Sequence, residues 1–234
     1  YRLQIIIIIM KHRDYFSDTS RAEGLKTIGY FGDSFCASRS KTSWCKVLAR
    51  KINRWPVHWG TEGASIWNTF LTIEDMLVKD TLPDTLFLCY TEPYRIYHPT
   101  LSLTPNSTGS KQEHNKIYGA ADMYRVHLQN NKKDDLAYRY SLQWFDQNVL
   151  KPLEAKHEII QIWSMPPTEI SSSNMEINLT TGLMIKQSIL DFAYRCVGAG
   201  PGFKFDPSWG NHMSDENNVA FANHILPKVE AYLK

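Results

Sequence analysis

Between residues 25 and 90 the apolar pattern switches repeatedly between extended runs and helical spacing, and that alternation constrains the fold more than any other feature. Residues 25–31 form a short β-prone run. Trp44, Val47, Leu48 and Ile52 then recur three to four apart with Lys and Arg between them, the pattern of a helix over 44–53 with one buried face. Pro56-Val57-His58-Trp59 is a second extended run, and Gly60-Thr61-Glu62-Gly63 a turn. Ile66, Phe70, Ile73 and Leu77 restore the helical spacing, and after the break at Pro83-Asp84 residues 85–90 form a third extended run. Strand, helix, strand, helix, strand predicts a mostly parallel sheet covered by helices on both faces, a three-layer α/β/α sandwich, because parallel neighbours need a crossover.

The pattern continues to the C-terminus. Residues 98–116 carry Pro99, Pro105, Gly109 and little periodicity, so they read as a long loop placed to cover a site. Residues 122–153 read as helical, with Leu142, Phe145 and Val149 on one face. Residues 157–163 read as a further strand, 183–196 as a helix, and 217–233 as the last helix, with Pro227 positioned to break or kink it. No repeat or linker divides residues 25–234, which read as one domain. Residues 1–24 read as an N-terminal extension. Its apolar run Ile5–Met10 is too short to span a bilayer and is followed by Lys11-His12-Arg13 rather than a small-residue cleavage site. It adds an edge strand or precedes a natural start at Met10. With no recognisable signal peptide, an intracellular or virion-type location is expected.

With 234 residues, 43% of them hydrophobic, the chain can bury a substantial core. Lys and Arg total 26 against 24 Asp and Glu, a net charge of +2, which supplies no field for nucleic acid or an anionic membrane. Four cysteines (Cys36, Cys45, Cys89, Cys196) form no CxxC pair, and the histidines show no metal-ligand spacing, so neither a metal nor another cofactor is expected. Cys89 lies in an apolar run and reads as a core thiol, and nothing near Cys36 in sequence favours a thiolate. Trp44, Trp59, Trp67, Trp144 and Trp163 fall at apolar positions and read as core.

The chemistry is concentrated at Gly32-Asp33-Ser34-Phe35, directly after the first extended run. A serine at the carboxyl end of a strand is presented to solvent, but its hydroxyl needs a base. Asn211-His212-Met213-Ser214, just before the last helix, offers one. In an open parallel sheet the site lies in the loops at the carboxyl ends of the strands. Those loops carry Asp33 and Ser34; Gly60 and Gly63; Glu92, Tyr94 and Arg95; and Asp206, Trp209 and His212. Tyr94, Tyr97 and Trp209 stand where they could line an acyl or sugar pocket. Taken alone, Gly-Asp-Ser after a strand also suits an ordinary turn, since Asp and Ser both cap helices.

Taken in order, these segments resemble the GDSL or SGNH hydrolases, serine esterases and lipases on a flavodoxin-like sheet. The resemblance implies that Ser34 is the nucleophile and His212 the base, and that the backbone N–H groups of Ser34 and Gly63 form the oxyanion hole. It also shows two departures. The family follows its third strand with Gly-x-Asn-Asp, whose Asn completes the oxyanion hole; here the strand runs into Thr91-Glu92-Pro93, and Glu92 stands nearest that position with Arg95 close behind. The family's acid lies three residues before the histidine, where this chain has Trp209; Asp206 is six before it and Asp215 three after. Asp206 orienting His212, Asp215 doing so, and a Ser-His dyad on a backbone carbonyl all remain open. The resemblance implies an esterase acting on small acyl esters, O-acetyl groups on carbohydrate among them. The alternative, favoured by the missing Asn, is a catalytically weak module that binds a glycan or joins an assembly.

Overall fold

A computed structural model describes residues 24–37, 41–93, 95–98, 103, 115–130, 135–165, 177–195 and 213–234. The 1–24 extension, but for Gly24, lies outside them. Five strands form one parallel sheet in the order β2-β1-β3-β4-β5: β1 Thr27–Gly32, β2 Trp55–Gly60, β3 Thr85–Tyr90, β4 Glu158–Trp163 and β5 Leu183–Ile185. Helices α1 (Trp44–Lys51), α2 (Ile66–Val78), α3 (Asn115–Asn130) and α4 (Asp135–Phe145) lie in the crossovers between β1 and β4, and α5 (Ile189–Arg195) and α6 (Asp215–Tyr232) follow the last strand. No described helix is long and apolar enough to cross a membrane.

Alternate residues of each strand serve opposite faces. Tyr30 and Phe87, neighbours across β1 and β3, both pack on Trp44 of α1, which meets Phe221 of α6, which in turn meets Phe192 of α5. Leu88, Tyr90 and Gln161 face the other way, toward α2 and α4, whose Phe70 and Phe145 stack with ring centroids 3.9 Å apart. Helices therefore cover both faces, and the α/β sandwich expected from the alternation is present. β3 is buried at every residue, as a central parallel strand should be.

The structure corrects some local expectations and refines others. Leu183–Ile185 is not the start of a helix but the edge strand β5, whose three residues are too few to set a period. The helical reading of 122–153 is met by α3, which begins already at Asn115, and by α4, which continues through a π-helical turn, Asp146–Leu150, into a last turn, Lys151–Leu153. The turn has a local reason. It brings the buried Asp146 carboxylate to Gln161 Nε2 (2.9 Å) and to the backbone N–H groups of Thr180 (2.9 Å) and Thr181 (3.3 Å), tying α4 to β4 and to the segment entering β5. Pro227 lies inside α6 without ending it, and the helix is capped by Ser214, which accepts from Asn217 N–H. Trp67 and Trp144 are 47% and 60% exposed, although Trp44 and Trp163 are core.

Three thiols, Cys36, Cys45 and Cys89, meet in the core on the α1 side. Burial raises Cys36, but hydrogen bonds from the Cys45 and Cys89 thiols outweigh it and hold Cys36 at about 7, while Cys45 and Cys89 are pushed up. Neighbours that favour a Cys36 thiolate thus exist, contrary to the reading of the sequence, but they are distant along the chain. Among the described residues, no group of three His, Cys, Asp or Glu side chains could hold a metal ion.

Candidate active site

A sheet of order 2-1-3-4-5 changes winding direction between β1 and β3, and the crevice beyond their carboxyl ends is the expected ligand site. Gly32, Asp33 and Ser34 leave β1 at that point, and Thr91 and Glu92 leave β3 beside them. The chain turns at once after β1: Cys36 N–H donates to Asp33 O at 3.0 Å and Ala37 N–H to Ser34 O at 3.3 Å. Two glycines permit this turn. Gly32 has φ +150°, and a Cβ there would stand 2.6 Å from Cys89 O. A Cβ on Gly60 would meet the Cys36 carbonyl carbon at 2.5 Å, so only glycine lets β2 pass so close to the turn that carries Ser34.

Asp33 holds the turn in place. It is fully buried, and its Oδ1 accepts from Phe35 N–H (3.0 Å) and from Ser164 Oγ (3.2 Å), at the end of β4. Its Oδ2 lies 3.2 Å from Arg95 Nη1, and Arg95 Nε donates to Glu92 Oε1 at 3.1 Å. One buried guanidinium thus joins the loops after β1 and β3 and balances both carboxylates. Glu92, which stands nearest the family's missing Asn, is thereby engaged by Arg95. Behind it, Tyr138 OH of α4 donates to Thr91 O. Asp33 caps the turn, as the simple reading of Gly-Asp-Ser allowed, and in addition links three strand ends.

Ser34 is nearly buried, and its hydroxyl has no partner among the described residues. Gly63 follows β2 with φ +67°, in the turn that leads into α2. The structure therefore brings Asp33, Ser34, Glu92 and Arg95 together at one sheet edge, with Gly63 in the adjoining loop. Tyr94, Asp206, Trp209 and His212 lie outside the described residues. Met213, the next residue after His212, is buried against the core that β1 and α1 share, and Trp44 N–H donates to Asn218 Oδ1 at 2.9 Å. Asp215 is exposed in the first turn of α6. Sequence reasoning missed Ser164 and Tyr138. Ser164 directly follows a strand and was open to the rule that sites form at strand ends; nothing in sequence marks Tyr138.

His58 on β2 sits beside the turn that carries Ser34. Its Nδ1 is 3.3 Å from Cys36 O, and its ring stacks on Tyr30 at 5.4 Å. Burial lowers its pKa to about 4, with the Lys46 charge adding to the effect and the Cys36 carbonyl opposing it. Because the folded value lies below the unfolded one, the unfolded chain binds this proton first, and stability falls as pH drops from about 6.5 to about 4. The loss over that window is expected to reach about 3 kcal/mol. Urea denaturation at pH 7 and pH 4.5 measures it; a His58→Gln protein with the same acid loss would show that another group is responsible.

No protein-family model matches the chain. No curated protein matches it either. Solved structures do resemble it. A lipolytic protein of the G-D-S-L family from Veillonella parvula is 11% identical, with a TM-score of 0.41 over 86% of this chain and 96% of its own. A putative lipolytic protein of the same family from Desulfitobacterium hafniense is 12% identical, with a TM-score of 0.40 over 86% and 98%. A protein from Lactobacillus plantarum is 10% identical, with a TM-score of 0.44 over 89% and 98%.

Proposed function

We propose that the chain is a serine ester hydrolase. Ser34 Oγ attacks the ester carbonyl carbon while His212 takes its proton; the tetrahedral oxyanion is held by the N–H groups of Ser34 and Gly63. Collapse expels the alcohol, which leaves with the proton from His212, and water then releases the acid from the acyl-Ser34 by the same steps. We assign Asp206, six residues before His212, as the acid that orients the imidazole. No step calls for a metal or organic cofactor. Acetyl esters, O-acetylated sugars included, are the smallest substrates of such a site.

The observation that carries this reading is the placement of Ser34: a tight glycine-dependent turn at the switch point of the sheet, pinned by a buried carboxylate to two other strand ends. The Glu92 charge that favoured a non-catalytic module is balanced by Arg95. A fluorophosphonate probe is expected to label the wild-type protein and not Ser34→Ala. An unlabelled wild type, folded by circular dichroism, would leave the glycan-binding alternative in place of the enzyme.

A further inference from the structure

Beside the candidate site lies a cavity of about 720 Å³. Its walls come from the start of α2 (Ile66, Trp67), the loop after β3 (Pro93, Arg95, Ile96), and the facing sides of α3 and α4. In the sheet, β1 lies between β2 and β3. The segments leaving both of those strands line the cavity, so it opens at the same end of the sheet at which Ser34 leaves β1, although Ser34 is not itself one of its lining residues. Arg95 belongs to both places: it lines the cavity and is ion-paired to Asp33, the neighbour of Ser34.

The lining is apolar beyond what its residue names suggest. Arg95 spends its charge on Asp33 and Glu92, Tyr138 OH donates to Thr91 O, and Ser141 Oγ donates to Ala137 O within its own helix. Three polar ends are thus engaged elsewhere. Ile66, Ile96, Leu103 and Ala121 supply aliphatic surface, and Trp67 and Tyr124, each 47% exposed, stand at its edge. An acetyl group would leave such a space almost empty; the polar ends of Tyr97, His98 and Tyr124 are the lining's other bonding groups.

We propose that this cavity seats the acyl part of the substrate, and that the preferred ester carries an extended apolar acyl chain of about six carbons or more. This inference rests on the ester-hydrolase reading and narrows its substrate class. Each methylene moved from water to an apolar wall improves binding by roughly three- to fourfold.

The test compares kcat/KM for p-nitrophenyl acetate and p-nitrophenyl octanoate, which share a leaving group. The octanoate is expected to be preferred by at least ~20-fold. Ala121→Phe, which fills the cavity from α3, is expected to cut that preference at least ~fivefold; Ala120→Phe, on the same wall at an exposed position, repeats the test where folding is less at risk. Ser34-dependent hydrolysis of the acetate with no preference for the octanoate would overturn the inference and leave the esterase standing. If neither ester is turned over, the esterase reading fails instead, and sodium octanoate binding followed by tryptophan fluorescence decides the cavity. Saturable binding weakened by Ala121→Phe upholds an apolar-chain site, and no binding overturns it.

Discussion

Ser34→Ala is expected to lower the hydrolysis of a p-nitrophenyl ester by roughly 10⁴- to 10⁶-fold while leaving the fold intact. The size follows from what the hydroxyl does: without it no acyl-enzyme forms, and what remains is the oxyanion hole and binding alone. The stability change is expected to stay within about 1 kcal/mol, because the Ser34 hydroxyl has no partner among the described residues and its loss orphans nothing there. Steady-state kinetics beside urea denaturation make the comparison. A variant that keeps a tenth of wild-type turnover would remove Ser34 as the nucleophile, whatever its stability.

Asp33→Ala is expected to act the other way round, as a stability variant first. It removes the acceptor of Phe35 N–H and Ser164 Oγ and strips one of the two carboxylates from a guanidinium whose side chain is 5% exposed. Breaking a buried pair by deleting one partner costs about 3–5 kcal/mol, since the other charge stays buried. The expected loss is in that range at pH 7, and activity falls with it because the nucleophile turn is untethered. Removing both charges should cost less than the sum: Asp33→Ala with Arg95→Met is predicted to recover about 1–2 kcal/mol of the added losses. Additive losses, or an Asp33→Ala cost below about 1 kcal/mol, would show that the pair does not hold the turn.

Much of the frame was legible in the sequence because it rests on period. The runs at 27–32 and 85–90 and the spacing of Trp44, Val47 and Leu48 fix strand and helix with little help from distant residues. β5 was not legible, since three residues on an edge owe their strand state to β4. Nor was the π-turn, which follows from the partners Asp146 finds near residue 180. In the site, Ser34 and Asp33 could be picked out because a strand end is a local fact. The balance of Asp33, Arg95, Glu92 and Ser164 is a meeting of three strand ends, and only the sheet order brings them together. Trp67 was misread for a similar reason: helical spacing marks it as apolar, but whether an apolar face meets the core or borders a cavity depends on what packs opposite.

The three clustered thiols give the molecule a set of internal clocks. Cys36 sits in the turn after β1, Cys45 on α1 and Cys89 on the central strand, all beyond the reach of a water-borne reagent in the closed state. Each can react only when its own part of the structure opens, so the speed of alkylation at each position registers the frequency of that opening. Reaction at Cys36 ahead of Cys89 would time excursions of the turn after β1 alone; equal speeds would mean that the turn opens only when the whole sheet does.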